Sequence, residues 1–377
     1  MRIACVSGFG ALWSRYPVNV LDLEDGKVTT GGGEENYIRC AAGLRALGHD
    51  VTAWHCGDSG VWRGVEFRGP EALLYSELVA GSWDAIAAWS TLRPLEYAQP
   101  GTKRIYVNQL NDLSQLGSWD VVDCIVSPSL DHAKQVRPWG WEGRQAVVHN
   151  GVDPEVYANA PAWDERRYEV GYWSSPDRGL HHLLRAWPYV VKQEPRARLR
   201  VAYEIKRLLD WIRVLPASFY GERGQTLGRL VLEASIDPTV EFLGSIPRKK
   251  LAKYQRRCRI HCYPYDPFGY CEGFGTSVAQ GLAAGCLVLL TPVDAFPSLY
   301  GDGAYWLREL NFMDRDYPRL LAQRIVQGLH GDLPNQDAIR KRGTQIGLGY
   351  TWTAAALMME AACRGEWLDE NWWRKAA

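Results

Sequence analysis

The sequence predicts an α/β protein made of two similar halves. Three observations carry this. Short apolar runs recur through the chain, and they are continuous rather than alternating, as in parallel strands buried on both faces. Stretches with apolar residues at helical spacing separate them, which gives the β-α-β rhythm of a covered parallel sheet. The chain has 377 residues, too many for one ordinary domain, and a polar stretch with Asp-Pro and Ala-Pro lies between Asn150 and Tyr168.

The elements follow in order. Arg2 to Ser7 is a buried-type strand that runs into a polar loop ending in Gly31-Gly32-Gly33-Glu34. Glu35 to Leu47 reads as a helix, with Tyr37, Ala41, Leu44 and Leu47 on one face and Gly48 as its stop. Strands are expected at Asp50–His55, Ala85–Trp89, Arg104–Val107 and Cys124–Ser127. The second set starts with a strand at Glu169–Trp173 and a helix from Arg178 to Gln193 whose Leu180, Leu183, Leu184 and Trp187 face inward. Strands at Leu199–Tyr203, Val240–Leu243, Ile260–Tyr263 and Leu287–Leu290 continue that sheet, and a Trp-rich helical stretch runs from Thr351 to Ala377.

Composition narrows the function. Lys plus Arg number 43 and Asp plus Glu number 43, so the net charge is zero and gripping nucleic acid or anionic membrane by bulk charge is disfavoured. A local basic patch is still open. The 17 Trp and 19 Tyr are unusually many; such rings build cores and also platforms for sugars and bases. Nine cysteines without a CxxC pair fit a reducing compartment. Cys258, His261, Cys262 and Cys271 are zinc-ligand types close in sequence, but a strand there turns neighbouring side chains to opposite faces. The first residues lack the long apolar run of a signal peptide, and no uncharged apolar stretch approaches the ~18 residues of a membrane span. A soluble, cytoplasmic protein is expected.

Two strand-to-helix turns stand out. In Cys271-Glu272-Gly273-Phe274-Gly275-Thr276-Ser277, glycines free main-chain N–H groups to face a ligand, and Thr276 or Ser277 can cap the helix that follows. The positive end of that helix favours an anion, and Gln280 lies further along it. The bland reading is a tight, capped turn. Ser174-Ser175-Pro176-Asp177-Arg178-Gly179 is a similar turn, where Arg178 beside a helix start is eased by an anionic partner. Gly31–Gly33 lies before a helix but lacks the dinucleotide spacing, so it reads equally as site or connector. The run Arg248 to Arg257, extending to Arg259, is either a solvated helix face or a phosphate-backbone contact. Asp314-Arg315-Asp316 reads as a surface feature rather than a metal ligand pair.

With these residues in view the chain resembles the retaining GT-B glycosyltransferases, glycosyltransferase family 4 in particular. Gly31–Glu34 with its helix and Gly48-His49-Asp50-Val51-Thr52 is similar to that family's N-terminal glycine loop, helix and second strand. His149-Asn150-Gly151-Val152-Asp153 is similar to its Asn-Gly-Val-Asp turn, Gly171–Gly179 to its phosphate turn, and Phe242-Leu243-Gly244 to its base-side loop. Glu272-Gly-Phe-Gly with Gln280 and Gly285 resembles its E-x7-E element. Three positions depart from the pattern: Gln280 replaces the second Glu, Tyr172 stands at the Arg of the phosphate turn, and Asn111 matches the acceptor-side His.

The resemblance implies a GT-B fold of two Rossmann-like domains facing across a cleft. Residues 1–155 would form the acceptor domain, completed by a helix in 351–377 that crosses back, and residues 156–350 the nucleotide-sugar domain. It implies transfer of a hexose or similar sugar, with retention, from a nucleoside diphosphate sugar, UDP or GDP, without a cofactor or metal. Glu272, Arg178 and Asn111 are the implied catalytic residues. The implied donor site is Gly32, Gly33, Tyr172, Ser174, Gly244, Ser245, Gly273, Phe274, Gly275, Thr276, Ser277 and Gln280; Asn108, Gln109, Asp112 and His149 stand on the acceptor side. The acceptor is a glycan, a small molecule or a nucleic acid. Two alternatives remain: glycosylation of a modified base in DNA, and a non-catalytic nucleotide-sugar-binding relative.

Overall fold

The computed structural model describes residues 1–7, 31–69, 73–109, 119–136, 141, 143–206, 209–210, 217–266 and 272–368. The chain divides into two compact units. One comprises Met1–Gly151, Tyr270–Thr276 and Tyr350–Ala377; the other comprises Val152–Gly269 and Ser277–Gly349.

The first unit holds an eight-stranded sheet among the described residues. Its strands are β1 (Arg2–Ser7), β2 (Asp50–Trp54), β3 (Gly60–Trp62), β4 (Val65–Arg68), β5 (Ala85–Trp89), β6 (Lys103–Val107), β7 (Cys124–Ser127) and β8 (Arg144–Val147). They lie in the order β3-β4-β2-β1-β5-β6-β7-β8, and every pairing is parallel except β3 with β4. The helices are α1 (Gly32–Ala46), α2 (Leu74–Ala80) and α3 (Leu130–Val136).

α1 begins three residues before the expected Glu35, so Gly32 and Gly33 form its first turn rather than a loop ahead of it. Its buried face carries Tyr37, Ile38, Ala41 and Leu44. The Tyr37 hydroxyl donates to the Trp54 carbonyl at 2.9 Å, and its ring meets Trp89 edge-on at 5.2 Å. Close to the end of the chain, α12 (Trp352–Arg364) packs on α1. Gly43 permits that approach, because a Cβ there would collide with Ala356. Thr351 caps α12 by accepting from the Ala354 amide at 3.0 Å, and Gly365 ends it with φ 87°. The expected helix to Ala377 therefore stops at Arg364.

Among the described residues the second unit holds a six-stranded parallel sheet in the order β11-β10-β9-β12-β13-β14. Its strands are β9 (Arg167–Tyr172), β10 (Arg198–Val201), β11 (Val240–Phe242), β12 (Cys258–Tyr263), β13 (Leu287–Leu290) and β14 (Tyr305–Trp306). Its helices are α4 (Pro154–Tyr157), α5 (Leu180–Gln193), α6 (Ala217–Ala234), α7 (Arg248–Arg257), α8 (Thr276–Ala283, whose first residue belongs to the first unit), α9 (Phe296–Tyr300), α10 (Tyr317–His330) and α11 (Gln336–Gly349). α5 buries Leu180, Leu183, Leu184 and Trp187, the face its spacing predicts, and packs on α10 and α6. Among the described residues no helix is long and apolar enough to cross a membrane.

His261 sits in the middle of β12, fully buried, and neither ring nitrogen has a hydrogen-bond partner among the described residues. Burial pushes its pKa down to about 3. The unfolded chain binds a proton at this residue below about pH 6.5, whereas the folded chain resists one until about pH 3. Stability is therefore whole above pH 6.5 and is lost as the pH falls toward 3, by up to about 1.4 kcal/mol per pH unit from this residue. His261→Leu is expected to flatten the fall in melting temperature between pH 7 and pH 5. Thermal melts of both proteins across that range check it, and parallel curves would count against the account.

Candidate functional site

The turn after β9 is organised by Tyr172. The ring is fully buried, and its hydroxyl donates to the carbonyls of Ser175 at 2.7 Å and Arg178 at 3.0 Å. One hydroxyl thus draws both sides of the turn together. The resemblance implies Tyr172 as a donor-site residue; in the structure its hydroxyl binds two carbonyls of its own loop. Ser174 Oγ and the Tyr263 hydroxyl share a hydrogen bond of 3.0 Å across to β12. Arg178 is half-buried and lies in the turn, two residues before α5, with its amide donating to the Ser175 carbonyl at 3.0 Å. Gly179 caps α5 with φ 97°, a conformation that rarely suits any other residue.

The Glu272 segment packs within the first unit, although its neighbours in sequence belong to the second. Glu272 is buried. Phe274 anchors the segment: its ring stands edge-on to Tyr350 at 5.0 Å and near His149 at 5.9 Å. A side chain at Gly273 would strike His132 and Pro128, so the backbone lies directly on those residues. Gly275 follows with φ 69°, and Thr276 opens α8.

His149 Nδ1 lies 2.8 Å from the Pro128 carbonyl oxygen, which can only accept, so Nδ1 carries the hydrogen. Burial lowers the His149 pKa, outweighing the opposing effect of the Pro128 bond. The neutral ring then keeps a lone pair on Nε2.

Sequence reasoning missed a polar network in the same unit. The Asn36 amide donates to Asn150 Oδ1 at 2.7 Å, and Asn36 Oδ1 accepts from Trp89 Nε1 at 2.7 Å. Asn150 in turn donates to Thr276 Oγ1 at 3.2 Å, and Gly32 lies against that same threonine side chain. Buried polar groups are costly unless paired, and here each one is. The available signal was an Asn placed on the apolar face of a helix.

The remaining expected residues lie on several elements of the two units. Gly244 follows β11 with φ 66°, and Ser245 beside it is exposed. Gln280 is buried within α8 one residue before Gly281, and Ser277 is half-buried at the start of that helix. Asn108 is buried after β6, where its amide donates to the Val126 carbonyl at 2.8 Å, and Gln109 follows it half-buried. Asn111 and Asp112, like Cys271 of the sequence-proposed zinc set, lie outside the described residues.

One feature separates the helix ends. α5 and α8 carry no acidic residue in the first turn, whereas α1 carries Glu34 and Glu35. Carboxylates at that position complement the positive end of α1. The basic run is less available than its sequence suggests. Arg256 donates to the Ala158 carbonyl at 2.8 Å, Arg257 lies 4.0 Å from the buried Glu169, and Arg259 is buried with Nη1 donating to the Leu329 carbonyl at 2.6 Å.

The fold is of the GT-B type. Sucrose-phosphate synthase from Thermosynechococcus elongatus superposes with a TM-score of 0.66 at 16% identity, covering 97% of this chain and 99% of that one. Anabaena HepE in complex with UDP and glucose gives 0.65 at 16% identity, over 97% and 100% of the two chains. Residues 170–344 match the family model for glycosyl transferases group 1, which supports a domain of that kind in this stretch. The phosphatidyl-myo-inositol mannosyltransferase of Mycobacterium tuberculosis (strain H37Rv) is 27% identical over 233 residues, 58% of this chain and 54% of that protein. The chain thus matches about half the length of that relative.

Proposed function

We propose that this chain is a retaining glycosyltransferase that moves a hexose or similar sugar from a nucleoside diphosphate sugar, with UDP or GDP as the carrier, to an acceptor hydroxyl. The observation that carries the reading is the match of residues 170–344 to glycosyl transferases group 1. The acid-free starts of α5 and α8, with Arg178 beside the first, support it, since both helix ends suit an anion. HepE, a neighbour in fold, holds UDP and glucose.

In this reading the bond from the anomeric carbon to the diphosphate oxygen breaks, and the acceptor oxygen bonds to the same face. Negative charge grows on the leaving diphosphate, and Arg178 with the amides around Gly275 to Ser277 offsets it. Glu272 holds sugar hydroxyls while positive charge develops on the ring. Gln280 binds the ribose through a neutral amide. The acceptor proton passes to the departing phosphate, so no separate base is required. On the acceptor side, Asn111 is assigned beside the reacting hydroxyl, and His149 Nε2 can accept a hydrogen bond from it.

The test is a thermal-shift series on the full chain with UDP, GDP, ADP and TDP. One of them is expected to raise the melting temperature by several degrees at saturation, because a ligand at 100 times its Kd adds about 2.7 kcal/mol to stability. Arg178→Ala should abolish the shift. A flat response to every nucleoside diphosphate would overturn the reading.

A further inference from the structure

We propose that His181, His182 and Asp266 form a binding site for a divalent first-row transition metal ion, with zinc the best fit. The site lies wholly in the second unit and is independent of the sugar chemistry proposed above. α5 supplies both histidines from its first turn, and the chain just beyond β12 supplies the aspartate. All three residues are buried.

The geometry is that of a ligand set. His182 Nε2 lies 2.7 Å from Asp266 Oδ2, and His181 Nε2 lies 3.5 Å from the same oxygen. The three candidate ligand atoms all fall within 4.8 Å of one another. A tetrahedral zinc with bonds of about 2.0–2.2 Å places its ligand atoms roughly 3.3 Å apart. The observed spacings bracket that value, so small side-chain rotations complete the set. Two imidazoles and a carboxylate are also the ligand types that zinc takes in three-ligand sites.

A hydrogen-bonded ion pair explains this arrangement less well. One imidazole is enough to pair with Asp266, and the His182 contact already has ideal length. The second ring lies against the first, with centroids 3.9 Å apart at 37°, where two protonated imidazoles would repel. Two rings that bring the same nitrogen to one carboxylate oxygen are instead the convergence a cation requires.

Two aromatic rings flank the set. Tyr317 at the start of α10 stands 4.9 Å from the His182 ring and Phe312 stands 6.0 Å from it. Gly179 lets the start of α5 sit directly on the Pro264–Tyr265 backbone, which brings the two histidines to Asp266.

The experiment titrates zinc chloride into the metal-stripped full chain by calorimetry, alongside Asp266→Asn and His182→Gln, with His330→Gln as a surface-histidine control. One equivalent is expected to bind to the wild type and the control, with affinity at least about tenfold weaker in both site variants. Cobalt chloride is the second arm and uses only the wild type, so it stands even if a variant fails to fold. It should give visible d–d bands without a thiolate charge-transfer band. Absence of stoichiometric binding, equal affinity in the folded variants, or a thiolate band, which would put the metal on a cysteine, each overturns the proposal.

Discussion

Glu272→Gln is expected to lower turnover about 10²–10³-fold, the cost of removing one preorganised electrostatic contact to a developing charge. The substitution preserves shape but removes the carboxylate charge and turns one acceptor oxygen into an NH2 donor. Glu272 is buried in the first unit on a backbone anchored by Phe274, Gly273 and His132, so the amide inherits the same position. The melting temperature should therefore stay within about 2 °C of the wild type, a change of no more than ~1 kcal/mol. The thermal shift with the nucleoside diphosphate should persist, because that ligand lacks the sugar which Glu272 is assigned to hold. Initial rates with the donor that matches the responding nucleotide give kcat and KM. An unchanged kcat would remove Glu272 from the chemistry. A kcat that falls together with the nucleotide shift would mean the substitution had disturbed the diphosphate site instead. The contrast with Arg178→Ala, which should lose the shift itself, assigns the two residues to different parts of one substrate.

The strands and the inward face of α5 were legible because each is a local pattern. Continuous apolar runs marked β1, β5, β7 and β13 to the residue. Boundaries slipped where one backbone angle decides. α5 was expected from Arg178 and begins at Leu180, because Gly179 takes φ 97° and leaves Arg178 in the preceding turn. The β3–β4 hairpin went unseen: its strands have three and four residues, and its turn is Arg63-Gly64, both with positive φ, in place of the Asn-Gly or Asp-Gly that signals such a turn.

The site was legible as motifs but not as partners. Glu272-Gly-Phe-Gly could be picked out, yet its packing with Pro128, His132, His149 and Tyr350 joins residues more than a hundred positions away on one side and about eighty on the other, beyond the reach of any local rule. Tyr172 could be aligned with an arginine position, but only coordinates show its hydroxyl turned to the carbonyls of its own loop. The histidine pair was visible as two letters, and its meaning depends on Asp266, which arrives 84 residues later.

Gly179→Ala is expected to cost roughly 3–5 kcal/mol, and Gly331→Ala only about 1–2 kcal/mol, although both glycines hold nearly the same backbone angle. Gly179 has φ 97° and Gly331, which follows α10, has φ 89°. The penalty for an L-residue in that region is therefore common to the two. What differs is the space. A Cβ on Gly331 meets nothing within 4 Å, whereas one on Gly179 would overlap the Pro264 carbonyl and crowd the Tyr265 Cα. Those are main-chain atoms, which cannot rotate aside as a side-chain tip can, so the collision must move the β12 end or the start of α5. Either motion disturbs the Tyr172-tied turn that carries Arg178 and separates His181 and His182 from Asp266. Urea unfolding should thus show a much lower midpoint for Gly179→Ala and a small shift for Gly331→Ala, with Gly331→Ala keeping both the nucleotide response and zinc binding. Equal midpoints would show that backbone angle alone governs both positions, and that the close approach of α5 to Pro264 contributes nothing to holding the turn.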